Sequence, residues 1–327
     1  MTKLITAEMA ARIDEMAAHA DASLASRIDA GIGAYFAREL ERVLPEVLTE
    51  ERVPLTGFEI IPVDTRSLAP HDDVWIEQTM TESGRAKLIA DFADDLPGGD
   101  VGVSETARKV ATYGSSAQWS VLDVMRAAAT GKSLPNDKLR IATRSIEEQF
   151  HDVLWNGDRK AGLEGIFSHA DIPRHVLKTN LLAMTAADLR DELNQIAKRA
   201  LARTKGTFEN KQLTLAVPHD LYAHITTTPH GTATDRTILE FILAGNPWIA
   251  EIRPAFHVAG AGKSGRDAIF AYRRDPSVLN FKIAMQPQAQ PVQAKNLSLM
   301  VPMMGRIGGL HVRFPFETEI IEYPAAA

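Results

Sequence analysis

From Leu68 to Gln118 the sequence reads as extended, polar and short of core residues. A structureless stretch of that length does not fit inside a compact domain. Its packing partners are therefore expected elsewhere, on other copies of the same chain, and assembly becomes the first expectation. Within the stretch, Val74 and Ile76 alternate with polar neighbours, as do Val101 and Val103, and Leu88, Ile89 and Phe92 add a little apolar surface. This pattern predicts two long strands forming a projecting ribbon, joined near Ser83-Gly84 or near Pro97-Gly99. Such a ribbon is marginal alone in water and should lie against another surface.

The rest of the chain is long enough, at 327 residues, to bury a substantial core, and two lobes are expected. Its hydrophobic and charged fractions, 45% and 24%, are those of an ordinary globular protein. A formal net charge of -6 argues against a dedicated nucleic-acid binder, although a mildly acidic surface lets a polyanion lie nearby without sticking. The absence of cysteine excludes disulfides, thiolate catalysis and Cys-based zinc sites. No apolar run reaches the roughly 18 residues that span a bilayer, and Met1 to Thr6 lack the layout of a secretory signal. A cytoplasmic protein, or one assembled there, is expected.

Helical spacing opens the chain. Thr6 is placed to cap a helix with Met9, Ile13 and Met16 on one face, and a second pattern runs through Ile32, Phe36, Leu40, Val43 and Val47. So narrow a stripe fits an arm on another surface, or equally a helical hairpin on its own domain. Val53 to Val63 reads as a strand, and Trp119 to Ala129 as a helix. A long helix follows from Asn136, with Leu139, Ala142, Ile146, Phe150 and Val153 inward and Gly157 just past its end. A second lobe begins at Thr185-x-x-Asp188, a capping-box-like start. A strand over Gln212 to Val217 and helices over Asp220 to Ile225 and Asp235 to Ala244 come next. Strands over Ala268 to Arg273, Val278 to Met285, Lys295 to Met303 and Gly309 to Phe314 complete an α+β chain with a largely antiparallel sheet.

Chemistry is sparse. Gly260-Ala261-Gly262-Lys263-Ser264 ends like a phosphate-binding loop, but His257 stands where that loop needs its first glycine, and a strand-like AIFAY follows instead of a helix. Gly131-Lys132-Ser133 fails likewise, with Arg126 in the glycine position. The ten histidines are scattered, and His219, His224 and His230 need not share a face. His71-Asp72-Asp73 sits at the projecting ribbon, away from a rigid support. No enzyme, cofactor or metal is expected; a P-loop or metal-dependent enzyme is the remote alternative.

One resemblance covers most of the chain. Ser120-x-x-Asp123-x-x-Arg126-Ala127-Ala128, Ile146-Glu147-Glu148, Asn156-Gly157-Asp158 and Gly162-Leu163-x-Gly165-Ile166 resemble a family of tailed-phage major capsid proteins. Asp94-Asp95-Leu96-Pro97 upstream, and Tyr272-Arg273-x-Asp275-Pro276 and Gly308-Gly309-x-x-Val312-Arg313-x-Pro315 downstream, continue it in order. The resemblance departs at Ser168-His169, where the family commonly has an asparagine after the Gly-Leu stretch.

The resemblance implies the Hong Kong 97-type capsid fold, with 1–50 as N-terminal arm and 68–118 as an extended loop over a neighbouring subunit. Residues 51–67, 119–184 and 278–314 would form the peripheral domain, with spine helix 136–156, and 185–277 with 315–327 the axial domain. It also implies pentamers and hexamers closing an icosahedral shell around double-stranded DNA held by non-specific contact. Portal, scaffold or decoration proteins are the further partners, and a membrane is not among them. Subunit contacts are expected at Trp75, Ile76, Lys87, Leu88, Phe92, Arg108, Lys109, Arg140, Arg144 and Glu148. An encapsulin-like compartment, which shares the fold, is the nearer alternative.

Overall fold

The computed structural model describes residues 52–88, 98–130, 137–205, 212–231 and 234–325. The expected arm over 1–50 lies outside the described residues; of the two units into which the chain divides, the second, Pro54–Ala327, holds nearly all of them. In the second unit the chain runs α1 (Gly57–Ile60), β1 (Val63–Asp64), β2 (Val74–Ser83), β3 (Asp100–Lys109), β4 (Ala111–Ser120), α2 (Val121–Thr130) and α3 (Asp137–Asn156). It continues through β5 (Arg174–Val176), α4 (Ala186–Thr204), β6 (Leu213–Val217), α5 (His219–Thr227), β7 (Pro229–Gly231), β8 (Thr234–Thr237) and α6 (Ile238–Gly245). The last elements are β9 (Ile249–Pro254), β10 (Asp267–Arg273), β11 (Leu279–Ala289), β12 (Gln293–Lys295), β13 (Ser298–Val312) and β14 (Thr318–Tyr323).

Two five-stranded sheets organise the unit. The first runs β1-β11-β13-β12, with β4 also paired to β13, and the second runs β5-β14-β10-β6-β9. The long helix α3 buries Ala142, Ile146, Phe150, Val153 and Leu154 in a core shared with Phe281, Ile307 and Leu310 of the first sheet. Gly157, at φ +77°, turns the chain away just past its end. The second sheet is buried on both faces, because successive side chains alternate sides. Phe270, Tyr272 and Ile320 join the core around α3, whereas Ile269, Ala271, Ile321 and Tyr323 face Leu189, Leu193 and Ile196 of α4. Glu319 is also buried there, held by Arg199 and Arg203 at 3.1 Å each.

Helix ends follow local cap chemistry. Thr185 Oγ1 accepts from the Asp188 amide at 3.3 Å, and Thr237 with Glu240 makes a full capping box at the start of α6.

Several expectations are corrected. Val53 to Val63 is not a strand; Gly57–Ile60 is one helical turn, which lets adjacent Ile60 and Ile61 both bury, at 2% and 0% exposed. The coreless stretch is shorter than expected and ends near Lys109. Ala111–Ser120 is a strand of the first sheet, with Ala117 and Trp119 buried on alternate positions. The helix expected from Trp119 begins at Val121. Lys295 to Met303 and Gly309 to Phe314 are not two strands but lie in or beside the single strand β13. The glycines between them are packing sites: a Cβ would meet the Phe150 ring at 2.7 Å from Gly305 and Leu68 at 2.6 Å from Gly308. The second sheet is evenly mixed, with β5-β14 and β6-β9 parallel.

Gly57 also ties α1 to α3. Its amide donates to His151 Nε2 at 2.8 Å, and a Cβ there would overlap the same ring at 2.5 Å. Burial, then the neighbouring His257 and Arg144, push the His151 imidazole down to about 4. A depressed histidine contributes stability that is complete above its unfolded value near 6.5 and is lost as pH falls towards 4. We expect the unit to lose on the order of 2 kcal/mol between pH 7 and pH 5 from this group. Thermal melts across that range check it, and His151→Gln should flatten the slope; an unchanged slope in the variant would refute the assignment.

Candidate subunit-contact surface

β2 and β3 pair antiparallel without a break, from Val74↔Lys109 at the root to Ser83↔Asp100 at the far end. Ten residues per strand extend about 34 Å. Directly opposed residues share a face, so the register separates the two sides. One side carries Val74, Ile76, Met80, Val101 and Val103, all between 51% and 64% exposed, together with the hydrogen-bonded pair Gln78 and Glu105 at 2.7 Å. The other carries Trp75, Glu77 and Arg108 at the root, then Thr79, Thr81, Ser104 and Thr106. The ribbon therefore holds a partly apolar face in water, broken by Lys109, the Gln78 and Glu105 pair and Glu82.

Its root is welded to the body. Trp75 is 9% exposed and packs with Leu68 and Ala284; its Nε1 donates to the Gly308 carbonyl at 3.2 Å, and Lys282 Nζ lies 5.1 Å from the ring. Glu77 meets His311 Nε2 at 2.6 Å, and burial holds His311 below its usual range despite that carboxylate. Arg108 reaches Glu164 at 3.4 Å, and Arg306 reaches Asp73 at 2.6 Å. Trp75 and Arg108, expected at a subunit contact, anchor the ribbon within the chain. Trp75 falls on the body side of a strand whose next residue, Ile76, is 59% exposed.

The other expected contact residues are dispersed. Lys109 is exposed opposite Val74. Lys87 and Leu88 follow β2, with Leu88 fully exposed, and Phe92 lies outside the described residues. On α3, Arg140 pairs with Asp137 at 3.0 Å and Arg144 with Glu148 at 3.1 Å, on the helix's own surface. Met80, Val101 and Val103 were not among the expected contacts. Their signal was the alternation of β2 and β3 combined with a pairing register that no single window carries.

The glycine turn is closed to phosphate by its own chain. The Gly260 amide donates to Asp267 Oδ1 at 2.8 Å and the Lys263 amide to Glu322 Oε2 at 3.2 Å, so carboxylates hold the donors a phosphate would need. Ser264 sits at φ +62° and a strand, β10, follows. The three clustered histidines go to different partners: His219 to the Phe256 ring, His224 to Thr228, and His230 to Phe241 and Arg190. Among the described residues no three His, Asp or Glu side chains are grouped to hold a metal, and no helix is long and apolar enough to cross a membrane.

The family model for the major capsid protein matches residues 84–320, more than half of the chain. Comparison by sequence with curated proteins gives no match. Among solved structures, the capsid of the Myoviridae phage XM1 is similar at a TM-score of 0.76 and 13% identity, over 88% of this chain and 98% of that one. Gordonia phage Cozz matches at 0.57 and 13% identity, over 90% and 94%. The virus-like particle from Pyrococcus furiosus matches at 0.51 and 12% identity, over 82% and 95%. At such identities the likeness establishes the fold.

Proposed function

Because the chain belongs to the major capsid protein family and carries the Hong Kong 97-type capsid fold, we propose that it builds the shell of a tailed bacteriophage or prophage through pentamers and hexamers. The observation that carries this is the β2–β3 ribbon, anchored at its root and holding a partly apolar face in water. A face of that kind calls for a covering surface, and a second copy supplies it at each position in a closed shell. Ile76, Lys87, Leu88, Phe92, Lys109, Arg140, Arg144 and Glu148 are the contact residues in this reading, joined by Met80, Val101 and Val103.

The lobe around α3 and the first sheet is read as the peripheral domain, and the lobe around α4 and the second sheet as the axial domain. Double-stranded DNA occupies the interior through non-specific contact, which a chain of net charge -6 keeps weak. The protein acts in the virion, is assembled in the host cytoplasm and performs no catalysis of its own; portal, scaffold or decoration proteins are its further partners.

An encapsulin-like compartment is the second reading. It is favoured only by the weaker likeness to the Pyrococcus furiosus particle. Portal, terminase and tail genes beside this one would support the phage, and a cargo-enzyme gene the compartment.

Electron microscopy of the purified full chain tests the reading directly. Closed shells of uniform size are expected. Monomers alone, under crowding and with any separate scaffold co-expressed, would overturn it.

A further inference from the structure

α1 is a short strap between α3 and the second sheet, and its two ends are held by different chemistry. At its start the Gly57 amide donates to His151 Nε2 of α3 at 2.8 Å. Trp155 Nε1 donates to the same nitrogen at 3.4 Å. The approach is so close that a Cβ on Gly57 would lie 2.5 Å from His151 and 2.8 Å from Trp155. At the other end the Ile60 carbonyl accepts from Tyr272 Oη at 2.6 Å. The Glu59 carbonyl accepts from Arg274 at 2.6 Å and from Arg253 at 3.5 Å. These three donors lie on or beside β9 and β10 of the second sheet.

Only the first of these holds can be undone by a proton. A backbone amide and an indole N–H can only donate, so His151 Nε2 serves both as an unprotonated acceptor. A proton on Nε2 would face two other N–H groups and break both bonds at once. Arginine stays charged and a tyrosine hydroxyl stays protonated between about pH 4 and pH 8, and burial pushes Tyr272 higher still. The far end of the strap therefore does not respond. The groups around the ring sharpen the contrast. Arg144 of α3, paired with Glu148 at 3.1 Å, and His257 of the loop after β9, with ring centres 4.3 Å apart, both oppose a positive His151. Asp152 acts on His257 instead. Glu59 is exposed on the strap, and Glu251 pairs with Arg253 and Arg274 at the far end. Phe58 and Trp155, also against the ring, carry no charge. Among the described residues no carboxylate pairs with His151 to hold a proton there.

We propose that His151 is a proton-operated catch on the strap: when its Nε2 takes up a proton, Gly57 and Phe58 lift from α3 while Glu59 and Ile60 stay tied to the second sheet. The opening is local and precedes global unfolding, because one helical turn moves and Ile60 and Ile61 keep their burial. α1 is the first described element of the second unit, and residues 1–53 join that unit just before it. The catch therefore governs the freedom of the joint between the two units. It is a property of the single subunit and does not depend on the shell reading.

Hydrogen exchange of the full chain tests the catch, with each rate corrected for the intrinsic effect of pH. A ring that binds its proton at about 4 with the strap closed and at 6.5 with it open makes opening about twentyfold easier at pH 5 than at pH 7. The Gly57 amide, and the Ile61 amide that bonds to the Gly57 carbonyl, should lose protection by that factor. The loss should be independent of added urea, since a local opening exposes little surface, and amides inside α3 should stay better protected at both pH values. His151→Gln, whose carboxamide oxygen accepts the same amide without titrating, should remove the response, and His257→Gln should keep most of it. Equal protection of the strap at pH 7 and pH 5, a response that survives in His151→Gln, or one as steep in urea as global unfolding overturns the inference. If His151→Gln does not fold, the parent decides alone. Its His151 ring and Gly57 amide, followed together by NMR, should titrate in step, and a charged His151 beside a Gly57 amide that stays protected overturns the inference.

Discussion

Excising residues 79–104 and closing Gln78 to Glu105 through an Asn-Gly turn should abolish closed shells while leaving a folded subunit. Gln78 and Glu105 are directly opposed, with their side chains hydrogen-bonded at 2.7 Å, and a two-residue Asn-Gly turn closes a directly opposed antiparallel pair. The root survives, because Trp75, Glu77 and Arg108 all lie on the retained side of the cut and keep their partners on the body. What is lost is Met80, Val101 and Val103, and with them most of the exposed apolar face. Covering those three side chains is worth on the order of 5 kcal/mol for each docked ribbon, and a shell repeats that contact at every subunit. Size-exclusion chromatography and electron microscopy should show soluble subunits only, with a melting temperature close to that of the parent. Shells of normal size from the shortened chain would show that the ribbon does not join subunits.

Trp75→Ala should act on the same ribbon from its other end, through stability. A buried tryptophan cut to alanine typically costs about 3–5 kcal/mol. Here the loss falls on a small satellite cluster with Leu68, Ala284 and Val110, outside the main core around α3. The expected result is local: protease cleavage within 79–104 rises steeply, and hydrogen exchange of the β2–β3 ladder accelerates before that of α3. Ile76→Ala, one residue along and on the opposite face, should leave both measurements near the parent and weaken assembly instead. If the two variants behave alike, the assignment of faces is wrong. The comparison also separates an anchor from a contact residue, a distinction that expecting both Trp75 and Ile76 at the interface did not make.

Much of the fold was legible in short windows. α3 and α4 were placed within a residue or so because a 3.6-residue apolar period and the Thr185 cap are local properties. β6 and β10 stood out as apolar runs, since a strand buried on both faces shows no polar alternation. β14 was missed although it is equally buried, because Glu319 and Glu322 interrupt its run. Only Arg199, Arg203 and Arg174, brought in from other elements, make those carboxylates tolerable inside. The glycines of β13 were read as a break between two strands, and their reason lies in Phe150 and Leu68, far away in sequence. The candidate surface was half legible: the ribbon itself was expected from its composition, and its exposed face was not.

The sequence by itself determined the two long helices, the Thr185 cap and the presence of a long segment poor in core residues, because each depends on residues within a few turns of one another. Tertiary structure decided where that segment ends and which of two adjacent residues faces water. The physical reason is pairing at a distance: β4 becomes part of a sheet only when Ala111–Ser120 meets Ser298–Ile307. Trp75 likewise becomes an anchor only when the Gly308 carbonyl arrives beside its ring.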